Sequence, residues 1–134
     1  MGQYYVVCNL DKKEYIKPDD FGDGAKLMEF ANSAKGLLRA LAVLLASGNN
    51  RGGGDLRSNH PIIGTWAGNR IVVAGDYGDE GLYVENSASI TTSYGRVIET
   101  PNLYDIAMCE YKNVGKEVNE ALRDGGEELP YEQG

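Results

Sequence analysis

An α+β fold, with a mostly antiparallel sheet, a long helix packed on one face and a short C-terminal helix, is predicted by three features of this 134-residue sequence. Residues 4–10, 14–16 and 70–77 are rich in aromatic and β-branched side chains, the composition of strands. Between the second and third of these runs, apolar residues recur every three or four positions, the spacing of one helical face. Strands and helices follow one another without a regular βαβ rhythm, which points to a sheet covered by helices rather than a doubly wound parallel sheet.

Taken in order, residues 4–10 and 14–16 read as a β-hairpin turning at Asp11, Lys12 and Lys13. Pro18 closes it, and the loop PDDFGDG supplies aspartates and glycines suited to capping the next helix. Leu27, Phe30, Ala31, Ala34, Leu38, Leu41 and Leu45 line one side of the long helix, which Asn32, Ser33 or Gly36 could divide. Ser47, Gly48 and Asn49 supply its stop, because glycine takes the left-handed conformation that closes many helices. Residues 62–66 and 70–77 read as two strands joined at 67–69, with IVVAG as a buried central strand. Residues 82–84 and 90–94 suit short strands, and 103–111 has the apolar content of a strand while also fitting a helix. Val114, Val118, Ala121 and Leu122 share one side of a short helix over 114–122. Residues 1–124 make one domain, and 125–134 read as a mobile tail.

Composition bounds the function classes. Hydrophobic residues at 42% and charged residues at 25% are globular values, and 18 glycines imply many tight turns. Thirteen basic against 20 acidic residues give a net charge of −7, which disfavours nonspecific binding to nucleic acid. The acidic residues are dispersed, so they suit solubility better than nucleic-acid mimicry. Cys8 and Cys109 sit in apolar stretches without CxxC or Cys/His spacing, and are expected to be reduced and buried. The first ten residues lack the pattern of a secretory signal, and the longest apolar run, 40–46, is too short for a bilayer. A cytoplasmic protein without membrane contact is the expectation. Val6 stands where an N-myristoylation motif wants Ser or Thr, so Gly2 is discounted as an acceptor.

The candidate site lies in residues 48–77, which hold a triple glycine between two arginines, the single His and the single Trp. Arg51, Gly52, Gly53, Gly54, Asp55, Arg57, His60, Trp66 and Arg70 are the predicted ligand-binding residues. Glycine leaves backbone N–H groups open to a ligand, and arginine can fork onto phosphate or carboxylate. Trp66 would stack on the ligand. The alternative for RGGGD is a structural turn with Arg51 and Asp55 paired across it. The loop follows a helix C-terminus, the dipole end that repels anions, so it is not a P-loop. Catalytic candidates are His60, Asp55 and Asp76, since imidazole titrates near neutrality and a carboxylate can orient it. Asp76, Asp79 and Glu80 form a weak candidate for a divalent cation that a solvated turn explains better. No Walker, GxSxG or HExxH sequence occurs, and no cofactor is expected.

The segments MGQYYVVCNLDKKEYI, FGDGAKLMEF, RGGGDLRSNHP and GTWAGNRIVVAGDY resemble a family of small uncharacterised proteins of bacteria and their phages, which open with MGQYY or MGQYW and NLDK. The likeness extends through about Tyr77; many members have WAGDRI where this chain has Asn69. It implies kinship without an activity, and the phage distribution implies an anti-defence role by sequestering a nucleotide signal or binding a host protein. The expected function is a small binding protein for an anionic, nucleotide-like ligand. The alternatives are a protein-interaction module or inhibitor, and a hydrolase or transferase using His60 with Asp55 or Asp76. A homodimer is compatible with each.

Overall fold

In chain order the elements are β1 (Tyr5–Asn9), β2 (Glu14–Ile16), a 3-10 turn (Pro18–Phe21), α1 (Leu27–Ala31), α2 (Leu37–Leu45), β3 (Ile71–Gly75), β4 (Ile90–Thr91), β5 (Val97–Ile98), α3 (Leu103–Glu110), β6 (Lys112–Asn113) and α4 (Gly115–Asp124). The computed structural model describes residues 3–33, 35–78, 90–91, 94–98 and 102–129. Successive side chains of a strand point to opposite faces, and β1 uses both. Val7 joins a cluster with Ile16, Phe30, Leu44, Trp66 and Leu122, whereas Val6 and Cys8 join a second with Tyr15, Ala74, Leu103 and Ala107. The sheet therefore lies between α1, α2 and α4 on one face and α3 on the other.

The α+β class is the predicted one, and the sheet is mixed. Its order is β3-β1-β2-β6, antiparallel through β3-β1-β2 and parallel between β2 and β6. Asn9, fully buried, fixes the hairpin turn: its Oδ1 accepts from the N–H of Asp11 and Lys12 at 2.9 Å, and its Nδ2 donates to Asn69 Oδ1 at 3.0 Å. Asp11 then clasps Arg70, taking its backbone N–H at 2.7 Å and its Nε and Nη2 at 2.9 and 2.8 Å.

The long helix is two. Asp23, from the predicted capping loop, accepts the Leu37 N–H at 2.8 Å, and its carboxylate fills the space a Cβ on residue 36 would need. A side chain there would have to displace that carboxylate, which starts a new helix at Leu37 rather than letting the first continue. The end of α2 is closed by a different device from the predicted glycine stop. Val43 and Leu44 carbonyls accept the N–H groups of Gly64 and Trp66, each at 2.9 Å. Residues 61–68 are consequently a run of turns instead of the predicted strand. Gly64 has φ +78°, and a Cβ on it would stand 2.5 Å from the Ala46 carbonyl oxygen.

Two further expectations are corrected, on the IVVAG strand and on Cys109, and one left open, at 103–111, is decided. The IVVAG strand is at the sheet's edge, with Ile71 and Val73 exposed, because no strand among the described residues pairs beyond it. Residues 103–110 are helical, started by Asn102 Oδ1 accepting the Asp105 N–H at 3.0 Å. Cys109 is exposed on that helix, while Cys8 is buried. Within residues 125–129, Leu129 is buried and Arg39 Nη2 donates to the Glu128 carbonyl at 2.9 Å, while 126–128 are exposed. The strand expected at 82–84, the carboxylates Asp79 and Glu80, and residues 130–134 lie outside the described residues. No helix among the described residues is long and apolar enough to cross a membrane.

Candidate functional site

The loop over residues 48–60 is closed by asparagines. Asn49 donates through Nδ2 to the carbonyls of Leu56 and Ser58 at 2.8 and 3.1 Å and accepts the Leu56 N–H at 3.0 Å. Asn50, held at φ +66°, reaches Asn59 Oδ1 at 3.0 Å. At the tip, Asp55 Oδ2 accepts the Arg51 N–H at 2.9 Å while the Asp55 N–H donates to the Gly52 carbonyl at 2.9 Å. Arg51 and Asp55 are thus paired across the turn through the arginine's backbone. The triple glycine stays open, since a Cβ on Gly52, Gly53 or Gly54 would meet nothing within 4 Å. Arg51, Asp55 and Arg57 are exposed.

The base of the loop is tied to α4. Ser58 is buried, its hydroxyl donating to Asp124 Oδ2 at 2.6 Å and accepting the His60 N–H at 3.1 Å. His60 Nδ1 accepts the Ile62 N–H at 3.1 Å, which places the neutral ring's proton on Nε2, 3.3 Å from Glu120 Oε2. Both ring nitrogens are engaged, and the Ser58 hydroxyl proton is directed to Asp124. The Ser, His and carboxylates of this corner are therefore not wired as a nucleophile with its base.

The remaining predicted residues are not gathered here. Trp66 is fully buried, and its indole N–H donates to Glu14 Oε1 at 2.8 Å, so it has no face to stack on a ligand. Its neighbours in sequence are polar and glycine-rich, which hid its place in the core. Arg70 belongs to the hairpin clamp with Asp11. The Arg70 backbone N–H, then its guanidinium, hold the Asp11 carboxyl below its ordinary value. Asp76 accepts the Tyr4 N–H through Oδ1 at 2.9 Å, and its carbonyl takes Asn102 Nδ2 at 2.8 Å, beside α3. His60 is tied to α4 on the other face of the sheet, so the pairing of His60 with Asp76 is not formed. Among the described residues no three His, Cys, Asp or Glu side chains come together to hold a metal ion.

What the loop does border is an open cavity of about 280 Å³ against α2. Val43, Leu56, Ile63 and Leu122 give it an apolar floor, Gly54 and Asp55 contribute the outer wall, and Arg39 supplies the cation. Leu56 is seated on Gly125, where a Cβ would collide with its side chain. Arg39 projects from α2 with its side chain only 17% exposed; Nη1 lies 3.8 Å from Glu127 Oε1, and the buried Nε has no hydrogen-bond partner. This arginine escaped the sequence reading because it sits within an apolar helical run, far from the glycines that draw attention. The single signal was a cation interrupting LLRALAVLL. A larger cavity of about 590 Å³ runs along α4, but its Lys116 and Arg123 are offset by Asp20 and Glu120. There Asn113 and Asn119 already donate to Asp20 at 3.0 Å.

Comparison with known proteins found no matching family model, no matching curated protein and no matching solved structure.

Proposed function

We propose that this protein binds a small anionic ligand in the cavity between α2 and residues 48–56. The observation that carries this reading is Arg39, a guanidinium that lines an apolar-floored cavity and has only the Glu127 carboxylate, 3.8 Å away, as its ion-pair partner among the described residues. A carboxylate or phosphate oxygen that reaches the guanidinium would form a charge-assisted bond, worth about 1.5–3 kcal/mol. The Glu127 carboxylate at 3.8 Å neutralises charge without making a hydrogen bond. Arg39 takes the anchoring role expected of Arg70 and Trp66, and Arg51 and Arg57, exposed on the same loop, add attraction for an approaching anion.

The volume of about 280 Å³ selects among anions. It stands at the lower end of ligand pockets, which run from roughly 300 to 1,000 Å³. A carboxylic acid or monophosphate with a compact apolar body fits better than a dinucleotide. An anti-defence role, suggested by the phage resemblance, would then consist of sequestering a small mononucleotide-sized signal. Binding is favoured over catalysis because both His60 nitrogens and the Ser58 hydroxyl are committed to fixed partners.

A thermal-shift screen of the purified chain against small carboxylates, sugar phosphates and mononucleotides tests the reading. A specific ligand raises Tm with concentration. If none of these classes raises it, the proposal is wrong.

A further inference from the structure

The two edges of the main sheet differ. β6 is two residues long and carries Lys112, whereas β3 runs five residues, IVVAG, with no charge or proline. Natural sheets blunt their edges with short strands, charge, proline or bulges, because open N–H and C=O groups recruit another strand. The Leu10 N–H donates to the Arg70 carbonyl at 3.0 Å and the Asp76 N–H to the Tyr4 carbonyl at 2.9 Å. Antiparallel pairing alternates, so residues 70, 72, 74 and 76 turn their backbone groups to β1. Ile71, Val73 and Gly75 turn theirs outward, and among the described residues no strand takes them. Ile71 and Val73 are 36% and 45% exposed on the same face.

We propose that this edge pairs with the same edge of a second copy, antiparallel about a twofold axis at Val73. That register is self-complementary. Val73 faces Val73 of the second copy, each donating its N–H to the other's carbonyl, and the Gly75 N–H reaches the carbonyl of the opposing Ile71. The Gly75 carbonyl already accepts from Gly78 at 2.9 Å and Asn102 at 3.3 Å, so the ladder ends there. One step beyond each end, Arg70, which also holds Asp11 of its own chain, stands opposite Asp76 of the second copy, and Asp76 opposite its Arg70. Oppositely charged cross-strand pairs stabilise a sheet, whereas like charges destabilise it. A one-residue slip would place Arg70 and Asp76 out of register and cost both pairs. In a chain of net charge −7, a neutral strand flanked by the Arg70–Asp11 pair at one end and Asp76 at the other fits its own copy better than it fits a basic partner.

Light scattering and sedimentation of the full chain across the micromolar range test this. The mass should rise toward twice the 14.6 kDa of one chain. Val73→Lys, which sets two cations face to face on the axis, should return it to one chain mass with an unchanged circular dichroism spectrum, and Val73→Thr should remain paired. Amide exchange in the unmodified chain gives a second readout that does not depend on a variant folding. Exchange at Val73 and Gly75 should slow as concentration rises, while Val72 and Ala74 stay protected throughout. A single-chain mass at every concentration, a Val73→Lys variant that still pairs, or exchange at Val73 independent of concentration would overturn the proposal.

Discussion

Glu14 on β2 accepts the indole N–H of Trp66 at 2.8 Å, joining a carboxylate of the hairpin to the largest fully buried side chain of the protein. Trp66 in turn donates its backbone N–H to Leu44 at the end of α2, so one residue connects sheet and helix layer. Removing the carboxylate strands a buried donor. Glu14→Ala should therefore destabilise the fold by about 1–3 kcal/mol, and Trp66→Ala by about 3–5 kcal/mol through the cavity it leaves. Urea unfolding followed by tryptophan fluorescence measures the first, and circular dichroism the second.

Gly64→Ala probes the closure of α2. The left-handed backbone there costs a non-glycine residue about 1–2 kcal/mol, and the Ala46 carbonyl 2.5 Å from the added Cβ increases the penalty. Gly53→Ala, with open space around it and no positive φ, should change the unfolding midpoint little.

Asn49→Ala should release the loop without unfolding the protein. Its side chain bonds to Leu56 and Ser58 and so ties the two ends of the loop together. Limited proteolysis should cut within residues 50–57 faster in the variant, and amide exchange at Leu56 should accelerate.

The two thiols should separate by reactivity. Burial pushes the Cys8 thiol up to about 12, whereas Cys109 is exposed, its thiol raised by partial burial and by Asp105 and Glu110. Titration with a disulfide reagent should modify Cys109 alone in the native protein, faster as pH rises, and both thiols in denaturant.

Because the folded-state Asp11 carboxyl is held below its ordinary value by Arg70, its contribution to stability is present above the ordinary carboxylate range. It is lost as pH falls through the lowered value. Asp11→Asn should lower Tm at neutral pH, and the difference from the parent chain should shrink on acidification. A difference constant with pH would contradict the clamp.

How far the sequence carries is visible in particular residues. The hairpin and its turn at Asp11 to Lys13 follow from local chemistry, and the structure bears them out; the PDDFGDG loop caps α2 through Asp23 and not the helix next to it, α1. The division of the long helix depends on Asp23 reaching residue 36 from outside the helix, a contact that periodicity does not register. The strand expected at 62–66 lost to tertiary hydrogen bonds from Gly64 and Trp66 to α2. At the site, the glycine-rich loop was legible because its composition is unusual. Arg39 was not, because helical spacing says which face a residue occupies and not what loop will close over it.

The central claim rests on Arg39, so a calorimetric titration of the best anionic ligand from the screen into the parent chain and into Arg39→Gln tests it most directly. Losing a charge-assisted bond of about 1.5–3 kcal/mol should weaken binding by roughly 10- to 100-fold, with the fold retained by circular dichroism. Arg70→Gln, at the distant hairpin clamp, should bind as the parent chain does. Equal affinity in the parent chain and Arg39→Gln would contradict the account.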